Sequence, residues 1–594
     1  MNTESKAKTK KARRVEALDR GLVAALTEGG VLVSWRSLGT ESNSTVYELY
    51  RDGKPIYRSG EGMATCYLDA DGNAESVYKV ITDGKDVSEE ATAYPDNYFD
   101  IPLNKPSDGI TPDGKHYTYT PGDCSCGDLD GDGKYEIIVK WDPSNAHDNA
   151  HAGYSGNVIL DAYRLNGEQL WRIDLGVNIR AGAHYTQFLV YDFDGDGKAE
   201  LVCKTSDGTV DGAGAVIGDA DADYRNNAGY VLTGNEYLTV FNGETGAAIT
   251  TADYYPPRGN VSDWGDGYGN RVDRFLACVA YLNGETPSIV MCRGYYTRTV
   301  LAAYDFDGEK LINRWVFDSD KPENALYAGQ GNHNLVVADV DGDGCDEIVY
   351  GQCCIDSDGT GLWNTRLFHG DAIHVGDFLP ERPGLEVWGC LESGSTGAYL
   401  ADAATGEVLG HYDCDRDVGR ALAENFITGN SSAEFLCATT PTVFYYDTEK
   451  SKLSEMKDVT WTGGVNFAVW FTGELERCAL DKTSVLSYRD GTAREVLRGK
   501  DVTSINGSKA TPCLTLDLLG DWREEIVFAS SDGNFLRVYL TDCDTDYRIY
   551  TLMHNTMYRC GVANENICYN IPPHTDYFLD SAYPLPEYPN VYVK

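Results

Sequence analysis

Short runs rich in Val, Ile, Leu, Tyr and Phe recur from end to end of the chain, separated by turn pairs such as Asp-Gly and Asn-Gly. Brief apolar or alternating runs between such turns predict β-strands joined in tight antiparallel hairpins. From about Val15 to Lys115, the runs Gly30-Val-Leu-Val-Ser-Trp35 and Thr45-Val-Tyr-Glu-Leu-Tyr50 are punctuated by Asp52-Gly53 and Asp71-Gly72. This stretch reads as a small antiparallel β-sandwich.

From Cys126 onward the pattern becomes a repeat, and the repeat decides the architecture to expect. Its clearest copies are Asp128-Leu-Asp-Gly-Asp-Gly-Lys-Tyr-Glu136, Asp192-Phe-Asp-Gly-Asp-Gly-Lys-Ala-Glu200 and Asp339-Val-Asp-Gly-Asp-Gly-Cys-Asp-Glu347, each followed by a β-branched run. Weaker copies stand at Ala280 to Glu285, Asp377 to Glu386, Asn425 to Glu434, Trp470 to Glu476 and Asp517 to Glu525, which makes eight copies. Between them lie Tyr- or Phe-rich hairpins such as Ala162-Tyr-Arg-Leu-Asn-Gly167 and Val240-Phe-Asn-Gly-Glu-Thr-Gly246. One acidic-loop strand pair plus one hairpin makes a four-stranded antiparallel unit, and eight such units predict an eight-bladed β-propeller. At about 60 residues per copy, against roughly 40–50 for compact propeller repeats, the surplus belongs in loops. The longest insert, between the second and third copies, contains Asp263-Trp-Gly-Asp-Gly-Tyr-Gly-Asn-Arg-Val-Asp-Arg274. Inserts of this kind build binding surfaces.

The acidic loops have a chemistry of their own. Alternating carboxylates with Gly at the turn can aim their oxygens at one point, and a Glu eight residues on returns from the next strand. This is the oxygen-rich, irregular setting that Ca²⁺ accepts. The ligands expected are Asp128, Asp130, Asp132 and Glu136; Asp192, Asp194, Asp196 and Glu200; and Asp339, Asp341, Asp343 and Glu347. An EF-hand would need Glu at the twelfth loop position, where the first copy has Val139. The alternative is an exposed acidic turn solvated by water; three intact copies favour several Ca²⁺ ions, mostly structural. In the degenerate copy, Asp517, Asp521 and Glu525 hold either an ion or the strand's own backbone amides.

Charge and composition narrow the partners. Lys and Arg number 50 against 92 Asp and Glu, a formal net charge of −42, which repels nucleic acid and anionic membrane. The apolar fraction of 42% argues against a disordered acidic chain. No run of 18 apolar residues predicts a membrane-spanning helix. Residues 1–14, with Lys10, Lys11, Arg13 and Arg14, lead into no apolar segment and read as a flexible basic tail rather than a signal peptide. Three segments are therefore expected: the tail 1–14, the sandwich 15–115 and the propeller 116–594. The 17 cysteines, with Cys353 and Cys354 adjacent, form no staple pattern and read as reduced thiols.

A set of motifs spans nearly the whole chain: Lys140-Trp-Asp-Pro-Ser-Asn145, Lys204-Thr-Ser-Asp-Gly208, Gly265 to Arg274, Gly331-Asn-His-Asn334, His369-Gly-Asp-Ala372, Gly419-Arg420, Asn506-Gly-Ser-Lys509 and Asn566-Ile-Cys-Tyr-Asn570. Together they resemble the rhamnogalacturonan lyases of polysaccharide lyase family 11. The resemblance implies an all-β fold, an eight-bladed, calcium-loaded propeller with an added β-domain, here the fibronectin type III-like N-terminal sandwich. It implies an acidic pectic polysaccharide as partner, the rhamnose–galacturonate backbone of pectin, cleaved by β-elimination; a monomer is expected.

Elimination beside a uronate removes the C5 proton, and requires the C6 carboxylate to be neutralised by a divalent ion or an Arg and the O4 leaving group to be stabilised. The residues matching the family's cleft are Arg420, Lys509 and Tyr569. A lysine is a poor base at neutral pH unless a neighbouring cation or burial lowers its pKa, so Lys509 reads equally as base or as carboxylate binder. Arg420 suits a carboxylate clamp because its fork stays charged. Tyr569 reads as proton donor to the leaving oxygen or as a packed aromatic. His333 and His369 are placed at the cleft by the resemblance, as metal neighbours with Asp371 or as sugar binders, since imidazole is not calcium's preferred ligand. Sugar contacts fall on Asn506, Gly507, Ser508 and Asn570, with Asn145 and Arg274 in further substrate-binding motifs. The family tends to Ala-Tyr-Asn where this chain has Cys568-Tyr-Asn570.

Two other classes compete: a non-enzymatic carbohydrate-binding propeller and a calcium-assisted hydrolase with two opposed carboxylates. Within the lyase reading, internal (endo) cutting is expected. Exo-acting relatives carry an extra loop shortly before the residue matched by Arg420, where this chain has only Asp413-Cys-Asp-Arg-Asp-Val-Gly-Arg420. Secretion is expected, because pectin lies outside cells.

Overall fold

The computed structural model describes residues 10–392 and 397–594; residues 1–9 of the expected basic tail lie outside the described residues. Near the N-terminus, Val23–Thr27, Gly30–Ser34 and Cys66–Asp69 form one antiparallel sheet, and Tyr47–Arg51 and Val77–Thr82 centre a second. Alternation puts every second side chain inward. Val31, Val33 and Trp35 of the first sheet's face thus share a core with Tyr47, Leu49, Tyr78 and Val80 of the second.

Among the described residues, eight further sheets of four or more strands follow, most of them four antiparallel strands in chain order, beside two short two-stranded pairs. The acidic loop joins the first two strands of a sheet: Asp128 to Glu136 lies between Tyr119–Gly127 and Glu136–Pro143, and Asp192 to Glu200 between Phe188–Tyr191 and Glu200–Ser206. The aromatic hairpin joins the last two, as from Ile159–Tyr163 to Gln169–Asp174. Neighbouring sheets pack face to face: Leu189, Val202 and Val240 of one meet Ala277, Val279 and Ile289 of the next. The last sheet takes in strand Tyr98–Pro102, which pairs antiparallel with Phe535–Tyr539.

The eight-bladed propeller expected from the sequence is corrected by these pairings. Among the described residues no sheet curls or closes on itself; the sheets are separate and follow one another in a mostly antiparallel, solenoid-like series. The physical reason is that a repeat period specifies the unit and its strand count, while solenoids, propellers and arrays all share that signature.

A C-terminal segment positions the site. Helix Thr556–Asn564 starts on Asn555, whose side chain accepts from the Tyr558 amide. Arg559 donates to the carbonyls of Cys126 and Val190 and is anchored on Glu16 at 2.7 and 2.9 Å. Asn564 accepts from the Val279 amide, Glu565 from the Thr515 amide, and Asn566 brackets the backbone of Phe188. These bonds tie the segment to strands of four sheets and deliver Cys568, Tyr569 and Asn570 beside them.

Candidate active site

The three intact acidic loops share one geometry. Glu136, Glu200 and Glu347 each accept on Oε2 a backbone amide, from Leu129 at 2.8 Å, Phe193 at 3.0 Å and Val340 at 2.9 Å. Asp128 accepts the amides of Gly131 and Gly133, whose φ of +80° and +85° only glycine adopts without strain. One oxygen from each of Asp128, Asp130 and Glu136 then lies within 4.8 Å of the others, and the same holds for Asp192, Asp194 and Glu200 and for Asp339, Asp341 and Glu347. The third aspartates are not brought into these clusters; Asp132, Asp196 and Asp343 accept the amides of Lys134, Lys198 and Cys345 and shape the turn. Burial and the neighbouring carboxylates push Glu136 up to about 7, and Glu200 and Glu347 up to about 9. Glu347 Oε1 is buried without a hydrogen-bond partner. Crowded, desolvated oxygens of this kind fit a hard divalent cation.

In three of the degenerate copies protein groups meet the glutamates, while Asp377 Oδ1 and Asp517 Oδ1 stay buried without a partner. Arg382 donates to Glu386 Oε1 at 2.9 Å, and the Asn430 amide donates to Glu434 Oε1. Asp517 accepts the Leu552 amide and the Thr551 hydroxyl, Glu525 accepts the amides of Leu518 and Leu519, and Asp521 is forked by Arg523. Backbone amides thus meet Asp517 and Glu525 in that copy, whereas Asp521 is held by a side chain.

Lys509 and Arg420 line one cleft of about 490 Å³, walled by Thr439 to Pro441, Trp461 to Asn466 and Ser508. Lys509 sits in the tight turn Gly507–Lys509, entered through Asn506 at φ +58°. Its Nζ donates to Asp371 Oδ2 at 2.8 Å and to the Gly419 carbonyl at 2.7 Å, and lies 4.5 Å from the centre of the Tyr569 ring. Arg420 is buried; Nη2 donates to the carbonyls of Asn466 and Asn570 at 2.7 and 2.8 Å, whereas Nε and Nη1 have no partner. Asn506 donates to Asp123 at 3.1 Å and to the Asn570 side chain, and Asp123 pairs with the buried Lys140. Burial pushes the Tyr569 phenol well above its ordinary value, so the hydroxyl stays protonated.

Beside Lys509 stands a second group of donors. His333, His369, Asp371 and Glu392 each place one ligand atom within 4.8 Å of the others. His333 Nε2 is 3.4 Å from Asp371 Oδ1, and His369 Nε2 is 3.0 Å from Glu392 Oε2. His369 Nε2 and Glu392 Oε2 are buried and lack a well-aligned hydrogen bond. Two carboxylates and two imidazoles converging with open valences fit a divalent cation. Burial, with His184 and His369 nearby, holds His333 far below the usual imidazole range and therefore neutral.

Two of the expected sugar contacts stand apart from Lys509. Arg274 lies on the histidine side, over the Tyr296 ring at 5.5 Å and 3.4 Å from Asp148. Asn145 accepts the Gly156 amide at 2.9 Å, and its Nδ2 is buried without a partner. Glu392, Asp148, His184 and the pair Tyr295 and Tyr296 were not singled out from the sequence. The available signal was the scarcity of histidine, ten in the chain, and the Tyr-Tyr pair after Gly294; Glu392 follows an ordinary strand and has no local mark.

Comparison with known proteins gives this arrangement its class. Residues 98–589 match the model of the rhamnogalacturonan lyase family 11 C-terminal domain, and residues 13–95 that of the rhamnogalacturonan I lyase beta-sheet domain. The chain is 51% identical to the rhamnogalacturonan exolyase YesX of Bacillus subtilis (strain 168), over 98% of each chain. It is 50% identical to the rhamnogalacturonan endolyase YesW of the same organism, over 98% of this chain and 94% of that one. The crystal structure of YesX superposes with a TM-score of 0.95 over 98% of this chain and 99% of that one, at 50% identity. A Bacillus licheniformis rhamnogalacturonan lyase superposes with 0.94 over 98% of this chain and all of that one, also at 50% identity. The β-sheet body with this cleft is a polysaccharide lyase, and the chain is an enzyme of pectin breakdown. It belongs to rhamnogalacturonan lyase family 11.

Proposed function

We propose that this lyase cleaves the bond at galacturonate by β-elimination, with Arg420 holding the uronate carboxylate, Lys509 taking the C5 proton and Tyr569 donating to the departing O4. The observation that carries the assignment is the buried Arg420 fork with Nε and Nη1 unpartnered, in the same cleft as Lys509. A carboxylate docked in the cleft would meet a planar cation with donors still lacking acceptors, while Nη2 stays fixed on the Asn466 and Asn570 carbonyls. Lys509, which donates to Asp371, acts as base only after its ammonium has lost a proton to solvent; the C5–H bond then breaks to the free Nζ lone pair, its electron pair becomes the C4–C5 double bond, and the C4–O4 bond breaks as O4 takes the Tyr569 hydroxyl proton. A cation held by His333, His369, Asp371 and Glu392 would supply further neutralisation of the uronate charge. Ca²⁺ is the ion we propose for the three acidic loops, on the all-oxygen donor sets.

For the cutting mode we propose exo action on oligosaccharide ends, in place of the internal cutting expected from the sequence. The cleft beside Arg420 and Lys509 is lined by Thr439 to Pro441 and Trp461 to Asn466, and its volume of about 490 Å³ suits a short stretch of sugar. A relative of each mode stands at nearly equal identity, an exolyase at 51% and an endolyase at 50%. Viscosity of a rhamnogalacturonan solution is the test. Steady growth of ultraviolet absorbance from unsaturated uronate with viscosity almost unchanged supports exo action; an early fall in viscosity overturns it.

A further inference from the structure

Behind the Asp371 cluster lies a second convergence of donors that the elimination chemistry does not use. Cys568 Sγ is 2.7 Å from His184 Nδ1 and 3.6 Å from His333 Nδ1. The Tyr295 hydroxyl faces the same point, 3.1 Å from His184 Nδ1 and 2.9 Å from His333 Nδ1. His184, His333 and Cys568 are all buried, and one donor atom from each lies within 4.8 Å of the others. We propose that Cys568, His184 and His333 form a binding site for a thiophilic cation of the Zn²⁺ class, with Tyr295 or a water completing the tetrahedron.

Geometry and donor chemistry agree on this class. Zn²⁺ sits about 2.0–2.3 Å from nitrogen and sulfur, which sets tetrahedral ligands roughly 3.3–3.8 Å apart. The Cys568–His333 separation of 3.6 Å already fits, and the 2.7 Å contact to His184 opens by about 1 Å when a cation replaces the shared hydrogen. A thiolate with two imidazoles selects a borderline-soft ion over Ca²⁺. The outer nitrogens are also oriented as such a site requires. His184 Nε2 is 3.3 Å from Asp148 Oδ2, and His333 Nε2 is 3.4 Å from Asp371 Oδ1. Carboxylates behind ligating imidazoles fix their tautomer and ring orientation. Cys568 itself is held at φ +38°, a left-handed conformation unusual for a residue with a side chain, and this turn is what aims its thiol at the two rings. The site shares only His333 with the Asp371 cluster, so a soft ion bound here would draw that ring toward Cys568.

The test is a cobalt titration of the full chain in excess calcium, which keeps the oxygen-rich loops filled. One equivalent of Co²⁺ per chain should produce a near-ultraviolet thiolate-to-cobalt band and visible absorption of tetrahedral strength. The near-ultraviolet band should vanish in Cys568→Ser and persist in Asp339→Asn. Asp148→Asn, which alters no ligand, should weaken Co²⁺ binding by about 10–100-fold, and it serves as the deciding variant if Cys568→Ser does not reach the wild-type circular dichroism. A wild-type protein with no thiolate band overturns the proposal. So does a band that survives Cys568→Ser in folded protein, or a Co²⁺ affinity unchanged in Asp148→Asn.

Discussion

Lys509 donates to Asp371 Oδ2 at 2.8 Å, while the other oxygen of the same carboxylate, Oδ1, faces His333 Nε2 at 3.4 Å. One carboxylate therefore couples the residue proposed as base to the cluster proposed as cation site. Lys509→Ala removes the proton acceptor and should lower kcat by about 10²–10⁴-fold, the usual contribution of a positioned base. Steady-state kinetics separate the roles: a raised KM with kcat nearly intact would make Lys509 a substrate binder.

Arg420→Lys keeps the positive charge and loses the planar fork. The two unpartnered donors Nε and Nη1 disappear with it. Turnover is expected to fall by about 10²–10³-fold, as when a transition-state donor is removed. Kinetics on the folded variant check this, and a turnover within a few-fold of wild type would reject the carboxylate clamp.

Calcium removal should lower the melting temperature, because an ion bound only by the native state stabilises it by mass action. Elemental analysis should show fewer ions after Glu347→Gln. Arg382→Ala, in a loop where Arg382 already meets Glu386 at 2.9 Å, should leave the ion count unchanged. It should cost about 1–3 kcal/mol by stripping a buried carboxylate of its partner. A melting curve indifferent to exhaustive chelation would remove the structural role of the ions.

The chelated protein should also acquire a characteristic pH dependence. Burial and crowding raise Glu200 and Glu347 to about 9 and Glu136 to about 7 in the folded chain, above the ordinary glutamate value. A carboxyl whose folded pKa is raised contributes stability below its unfolded pKa and loses it as pH rises toward the folded one. Without calcium, stability should therefore decline between about pH 5 and pH 9. With calcium the decline should shrink, since the ion favours the ionised form. Denaturant titrations at several pH values, with and without chelator, measure both slopes. Equal slopes would exclude these three glutamates as ion ligands.

Arg559 clamps Glu16 through two buried bonds of 2.7 and 2.9 Å and reaches two strand carbonyls as well. Arg559→Ala leaves Glu16 buried and unpaired and should cost about 3–5 kcal/mol. A double change that also replaces Glu16 by Gln should recover part of that loss. Chemical denaturation reads both, and additive losses would show that the pair is not coupled.

The strand pattern and the acidic repeat were legible in the sequence because both are local: period-two alternation places side chains on faces, and an Asp-Gly loop carries its ligands within nine residues. Asp128, Asp130 and Glu136 meet as the spacing implied. The third aspartates are not among the oxygens that meet there; they accept amides two residues on. Motif resemblance named Lys509, Arg420, Tyr569, His333, His369 and Asp371, which the structure gathers around one cleft and its neighbouring cluster. Glu392 and Asp148 had no local mark and His184 only the scarcity of its residue type, since each meets its partner in the site from another segment of the chain.

What the sequence by itself determined, then, was the repeating unit, its strand count, its acidic loops and the family. It did not determine how the units are arranged. Hydrogen bonds within a unit follow from neighbouring residues, whereas the relation of one sheet to the next rests on side-chain packing between segments tens of residues apart. Only the tertiary structure decided that the Cys568 thiol, turned by a left-handed φ, meets His184 from 384 residues earlier. Contacts of that range depend on how long segments pack against one another, and no short pattern encodes them.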